Sequence, residues 1–318
     1  MTDALQTPSR DNPVAGPLSL SLAQWWSVLK GAHAATERAN LPLIAGGVAF
    51  FGLMAAIPGI ASVISLVGMI GDPYWVEEQI QALTGVAPDA ALGIINTQVQ
   101  RLLASRSEHL LAGALFNLAL SLWSALQGTR WTLMALTAVN RRAEQRSFVR
   151  RYIAAGMFTL YGVGLSVLAI VLIGAAPIVL ATMAMPNAEE ALLLVLRWPI
   201  LGGAAVAAAF ILYRWGPRRR PPPWRWLWPG AVAAPILWVL ASTILTFALS
   251  EFPAFGAAYG SLASVVVLLL WLYLTAFVFL LGGALNAELE FYSTGRGTTP
   301  IEETEIIKPP TGADGGPQ

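Results

Sequence analysis

The sequence predicts an all-α, polytopic membrane protein with six transmembrane helices plus short interfacial and periplasmic helices. Three observations predict it. Of 318 residues, 56% are apolar and only 12% charged, against about 25% charged in an ordinary soluble domain. Six stretches reach the roughly 20 residues that a hydrocarbon core of about 30 Å demands of a helix. All Lys and Arg residues except Arg101, Arg106 and Arg197 fall on one side of the resulting topology, an asymmetry that puts both termini in the cytoplasm.

Residues 1–20 carry Pro, Ser and both charge signs without a continuous apolar run, so a disordered tail is expected and a cleaved signal peptide is not. Residues 21–40 should form an interfacial helix. Leu22, Trp25, Trp26, Leu29 and Ala32 recur at helical spacing opposite Gln24, Ser27 and Arg38, and paired tryptophans suit the headgroup region. The first span, 41–70, is uncharged and long, with Pro42 in its first turn and Pro58 in its second half, so it should tilt or kink. Residues 72–109 are amphipathic, with Leu92, Ile95, Val99 and Leu102 on one face, and predict a periplasmic helical cap. The second span covers about 110–136.

A basic segment, 140–151, leads into the third span, 152–183, and the fourth follows at 191–213 with Arg197 and Pro199 near its start. A second basic loop holds Arg218, Arg219, Arg220 and Arg225 around three consecutive prolines. The fifth span is 231–250 and the sixth 262–287. Residues 291–318, rich in Gly, Pro and Glu, should be a disordered tail.

Polar residues inside these spans are not scattered. Advancing about 100° per residue places Ser264, Thr275, Gly282 and Asn286 on one strip of the sixth span, with lipid-compatible Val, Leu and Phe elsewhere. In the second span Asn117, Ser121 and Ser124 form a stripe that drifts toward Gln127 and Arg130, and in the fifth Ser242 and Thr246 repeat at i, i+4. Unsatisfied polar groups are costly in hydrocarbon, so these strips should face the bundle interior. They would either line a cavity for a polar headgroup or pack helices, since small and hydroxylated residues let helices approach. Arg130 and Arg197, near opposite ends of their spans, would either bind a lipid phosphate or snorkel to the interface. Glu288 and Glu290 lie where they could pair with the basic segments.

Several chemistries are excluded. With no Cys there are no thiolate ligands or nucleophiles, and the two histidines, His33 and His109, are predicted on opposite membrane faces. No metal site, cofactor or catalytic set is expected, and the only lysines, Lys30 and Lys308, make no phosphate-binding loop. A net charge of +1 argues against nucleic acid as a partner. Membrane lipids are expected instead, with anionic lipid at the basic cytoplasmic loops.

Tyr259-Gly260-Ser261-Leu262, Leu270-Trp271-Leu272-Tyr273 and Leu281-Gly282 with Leu285-Asn286-Ala287-Glu288, supported by Leu122-Trp123-Ser124-Ala125, Asn140, Tyr213-Arg214, Pro229-Gly230 and Leu237-Trp238, resemble the YihY/virulence factor BrkB family of bacterial inner-membrane proteins. The likeness covers about residues 22–290. The first span departs from it: Ala49-Phe50-Phe51 and Ala55-Ala56-Ile57 precede Pro58, where the family places hydroxyl residues. The resemblance implies a six-helix protein of the cytoplasmic membrane. Its family has carried ribonuclease and serum-resistance labels, and a role in moving lipid or envelope components has been proposed for it. The expected function is translocation or binding of a lipid or amphipathic envelope component; the alternatives are a membrane scaffold and, weakest, a ribonuclease.

Overall fold

The computed structural model describes residues 16–70, 110–141, 147–170, 187–217, 222–251 and 262–293. The predicted cap 72–109 with His109, the far end of the third span, Arg218 to Arg220 and most of both predicted tails lie outside the described residues, as does the side chain of Arg197. Within them the regular structure is helical: α1 (Leu22–Arg38), α2 (Leu41–Ile70), α3 (Leu110–Val139), α4 (Phe148–Ile170), α5 (Asn187–Trp215), α6 (Trp228–Glu251) and α7 (Ala263–Ser293), with 3-10 turns at Pro17–Ser19 and Trp224–Trp226.

Local chemistry sets the boundaries. α1 starts at a capping box, in which the Gln24 amide donates to Ser21 Oγ at 3.3 Å and the Ser21 amide to Gln24 Oε1 at 2.8 Å, satisfying two otherwise orphaned groups. It turns into α2 through Asn40 at φ 50°, a left-handed conformation that Asn tolerates. Pro58 lies inside α2, where its ring removes a ladder hydrogen bond and loosens the preceding turn. Ser121 of α3 donates to the Ala55 carbonyl at 2.8 Å in that turn, tying α3 to the segment that the proline loosens.

Among the described residues, five helices are long and apolar enough to cross a membrane: Leu41–Ser62, Phe148–Ala169, Trp198–Trp215, Trp224–Glu251 and Ala263–Ser293. The sixth expected span, α3, forms a 30-residue helix that is not one of these five; Asn117, Ser121, Ser124, Gln127 and Arg130 fall along it. It packs lengthwise on α2, while α7 is the hub, touching α1, α2, α3, α5 and α6.

Leu20 and Tyr292, both assigned to disordered segments, are buried with Val28, Trp226 and Leu289; this apolar cluster offsets the entropy of ordering those residues. α1 uses Val28, Ala32 and Ala35 against the bundle, which leaves Leu22, Trp26 and Leu29 exposed on its other side.

At the α6–α7 crossing the backbones nearly touch. A Cβ at Gly230 would collide with the Gly282 carbonyl, and one at Gly283 with the Leu136 side chain. Gly230 therefore needs glycine for space, whereas at Gly283 the Leu136 side chain of α3 would have to move aside.

Candidate functional site

Two cavities flank α3. The central one, about 350 Å³, is walled by α2, α3, α4, α5 and α7 through small residues, among them Gly52, Ala55, Ala125, Gly128 and Ala209, with Thr129, Thr132 and Tyr161 as its polar groups. The lateral one, about 370 Å³, is bounded by Phe51, Trp123, Trp131, Leu133 and Met134, with Gln127, Arg130 and Arg151 as its polar side. Both sizes fall within the ~300–1,000 Å³ typical of small-ligand sites. The α2–α3 seam runs between them, held close by Gly128, whose position lies in van der Waals reach of Phe51 and Val48, and by Gly59 against Ser121.

The hydroxyls of the central cavity are tied to backbone and to one another. Thr129 Oγ1 donates to the Ala125 carbonyl at 2.9 Å and accepts from Thr159 Oγ1 at 3.0 Å, and Thr132 donates to the Gly128 carbonyl at 3.0 Å. The chamber is therefore almost wholly apolar, suited to hydrocarbon.

The lateral cavity differs in carrying a cation. Arg130 lies nine residues, about 13 Å of helix, before the end of α3. Its guanidinium stacks on Tyr152 at 4.3 Å from the ring centroid, and its Nη1 donates to Tyr152 Oη at 2.9 Å and to Gln127 Oε1. Among the described residues no carboxylate is paired with it. Trp123 and Trp131 are more than 40% exposed beside it.

The other residues singled out from sequence separate into distinct roles. Ser121 belongs to the α2–α3 seam, and Ser124 is buried with its Oγ unpartnered among the described residues; Asn117 is half-exposed and lines neither cavity. In α6 and α7 the strips meet across the seam between the helices. Trp271 Nε1 donates to Ser242 Oγ at 3.1 Å and Trp238 Nε1 to Thr275 Oγ1 at 2.9 Å, a reciprocal clamp between the two helices. Thr246 faces outward and bonds its own helix at the Ser242 carbonyl, which corrects its interior placement. Ser264 is half-buried and lines neither cavity.

Asn286 is also corrected from cavity lining to architecture. It is 1% exposed; its Oδ1 accepts from the Gly230 amide at 2.8 Å and its Nδ2 donates to the Leu227 carbonyl at 2.8 Å. Leu227 precedes α6 and cannot cap it, so an amide from α7 satisfies the orphaned α6 N-terminus from across the interface. Tyr213 likewise donates to the Phe279 carbonyl at 2.6 Å.

Glu288 holds three helices together. Buried at 3% exposure, it accepts from Arg38 at the end of α1 at 3.1 Å and from Arg141 just after α3 at 3.1 Å. Arg141 adopts φ 53° and lies over the Phe291 ring at 4.4 Å. Position in the sequence pointed to Arg141; nothing there pointed to Arg38, or to Gly31, whose missing side chain makes room for the carboxylate.

Sequence reasoning missed the central cavity, whose signal is the small-residue run Ala204 to Ala209 and Gly128. Among the described residues, no three His, Cys, Asp or Glu side chains group to hold a metal.

Similarity searches agree with a membrane protein. The ribonuclease-like protein YfkH of Bacillus subtilis is 26% identical over 256 residues, 76% of this chain and 87% of that protein. A UPF0761 membrane protein of Idiomarina loihiensis is 36% identical over 63 residues, 20% of this chain and 22% of its own length, and one of Paraburkholderia xenovorans is 35% identical over 112 residues, 34% of this chain and 26% of its own. No solved structure matches the chain. The family model described as virulence factor BrkB matches residues 32–306, which is most of the sequence, and the chain belongs to the BrkB family of membrane proteins.

Proposed function

We propose that this protein binds and translocates a lipid or amphipathic envelope component across the cytoplasmic membrane. The observation that carries the reading is the pairing of an apolar chamber of about 350 Å³ with a cation-bearing one of about 370 Å³ on either side of α3. A hydrocarbon tail suits the first and a polar head the second. Among the described residues α4 and α5 touch only sparsely, which favours lateral access to the central chamber from lipid. On this reading α3 completes a six-span bundle, since its polar groups are shielded by α2 and α4, and both termini are cytoplasmic. The exposed Leu22, Trp26 and Leu29 then rest α1 in the headgroup layer. Arg197 supplies an outer-leaflet headgroup contact, and the basic cytoplasmic segments attract anionic lipid.

Reconstitution into liposomes with headgroup-labelled lipids tests it. Transfer between leaflets that is lost on Ala125→Leu, which narrows the central chamber, is expected; no movement of any lipid class overturns it. A scaffold is favoured instead by Trp215, Trp224 and Trp228, exposed around Arg214 and Arg225, a surface fit for a protein partner. The ribonuclease-like name of the Bacillus relative supplies the weakest reading, to which no described cluster of residues lends support.

A further inference from the structure

Arg130 is the place where the structure says more than its cavity volume does. A guanidinium offers five N–H donors in a fixed plane. In Arg130 only Nη1 is engaged by protein among the described residues, with Gln127 Oε1 and Tyr152 Oη. Both partners are neutral, so they orient the group and leave its charge uncompensated. Stacking on the Tyr152 ring at 4.3 Å fixes the plane of the fork, and the remaining donors belong to a residue that lines the lateral cavity. Tyr152 lies close to the N-terminus of α4, where helix N–H groups add positive potential, and Arg151 lines the same space.

The remaining walls decide what kind of anion fits. Phe51, Trp123, Trp131, Leu133 and Met134 are apolar or amphipathic, and Trp123 and Trp131 are 53% and 41% exposed on a helix that packs among membrane spans. A small hydrated anion would gain nothing from such walls. A phosphate attached to an acyl or isoprenoid chain would bury the chain on them while the forked donors take two phosphate oxygens.

Resting on the lipid reading above, we propose that the Arg130 groove is a selective site for anionic phosphate-bearing lipids, entered sideways from the bilayer, with Gln127 and Tyr152 as positioning residues. Neutral and zwitterionic lipids are poorer ligands because they carry no net negative charge, and a choline group would bring a further cation close to the Arg130 guanidinium.

Thermal shift of the purified full chain in neutral detergent tests this, using short-chain phosphatidylglycerol, short-chain phosphatidylcholine and inorganic phosphate as separate probes. A ligand that binds only the folded state raises Tm with concentration. Phosphatidylglycerol should stabilise the wild type at concentrations about tenfold below those needed of either other probe. Gln127→Glu is the decisive variant. It is nearly isosteric and places a carboxylate against Arg130, so the protein supplies its own anion: the unliganded Tm should hold or rise while the phosphatidylglycerol shift falls about tenfold or more in apparent affinity. Arg130→Gln should lose the same shift. Should Arg130→Gln fail to fold, Gln127→Glu still decides, with native mass spectrometry of retained lipid as the second readout.

Equal response to phosphatidylglycerol and phosphatidylcholine, or an undiminished shift in Gln127→Glu, overturns the site. Inorganic phosphate acting as well as the lipid overturns its assignment to lipid. The liposome assay separates this from the function proposed above. Lipid transfer that is indifferent to Gln127→Glu keeps translocation and discards the site, whereas headgroup-selective binding without transfer keeps the site and discards translocation.

Discussion

The α6–α7 seam and the α3 wall are built from the same kinds of residue, hydroxyls, amides, tryptophans and glycines, and end in opposite states. Along α6 and α7 these groups are mutually consumed: Asn286 uses both ends of its amide on α6, Ser242 and Thr275 take the two indole N–H groups, and Gly230 and Gly282 let the backbones meet. Around α3 the balance is incomplete, with Arg130 left with donors to spare and cavities on both sides. A polar strip in a membrane helix thus marks an interior; whether it marks a site depends on what remains after the helices have satisfied one another.

The comparison breaks most visibly at Gly230. Gly230→Leu drives a side chain into the Gly282 backbone and Asn286, and is expected to cost about 3 kcal/mol or more, seen as loss of folded protein on size-exclusion chromatography. Asn286→Leu follows. It strands the Gly230 amide in a dry interface, at about 1–3 kcal/mol, while the Leu227 carbonyl keeps the Ala231 amide as its donor, and should lower Tm while any lipid transfer per folded molecule survives. If transfer were abolished at unchanged Tm, Asn286 would belong to the site after all. Glu288→Gln leaves Arg38 and Arg141 without their shared carboxylate; with Arg38 half-exposed, the loss is about 2 kcal/mol rather than the full cost of a buried pair. Hydrogen exchange should then rise first in α1.

Smaller effects sharpen the contrast. Ser242→Ala removes one hydroxyl partner from Trp271, and interhelical hydrogen bonds in membranes are worth about 0.6 kcal/mol on average, so Tm should fall by a degree or two at most. Ala125→Leu should leave folding stability within about 1 kcal/mol of wild type, because the added methyl groups enter existing space, yet suppress lipid transfer. A stability loss there in place of a transport loss would erase the difference between the two regions.

Much of the frame was legible in the residues. Long uncharged stretches can be little but spanning helices, and α1 runs Leu22–Arg38 where a helix over 21–40 was expected. The strip on α7 holds Gly282 and Asn286, both buried, as are Gly283, Ala284, Ala287 and Leu289 beside them. Its meaning was not legible. Asn286 reads equally as a headgroup ligand or a cap until Leu227 is seen to start α6 without a side chain able to cap it. Thr246 was misplaced because an i, i+4 repeat with Ser242 suggests one face, whereas a hydroxyl in a helix can satisfy itself on its own carbonyl ladder and point outward.

Composition and periodicity determined that this chain lives in a membrane and which stretches are helical, because water, lipid and the backbone hydrogen bond leave few alternatives. Tertiary structure alone decided which polar groups are spent and which are spare. Glu288 finds Arg38 across 250 residues, and the space beside Arg130 exists because Phe51 and Trp123 meet edge to face at 6.3 Å instead of filling it. Such outcomes depend on how helix surfaces interlock, and close packing is a property of the assembled set that no single helix carries in its own sequence.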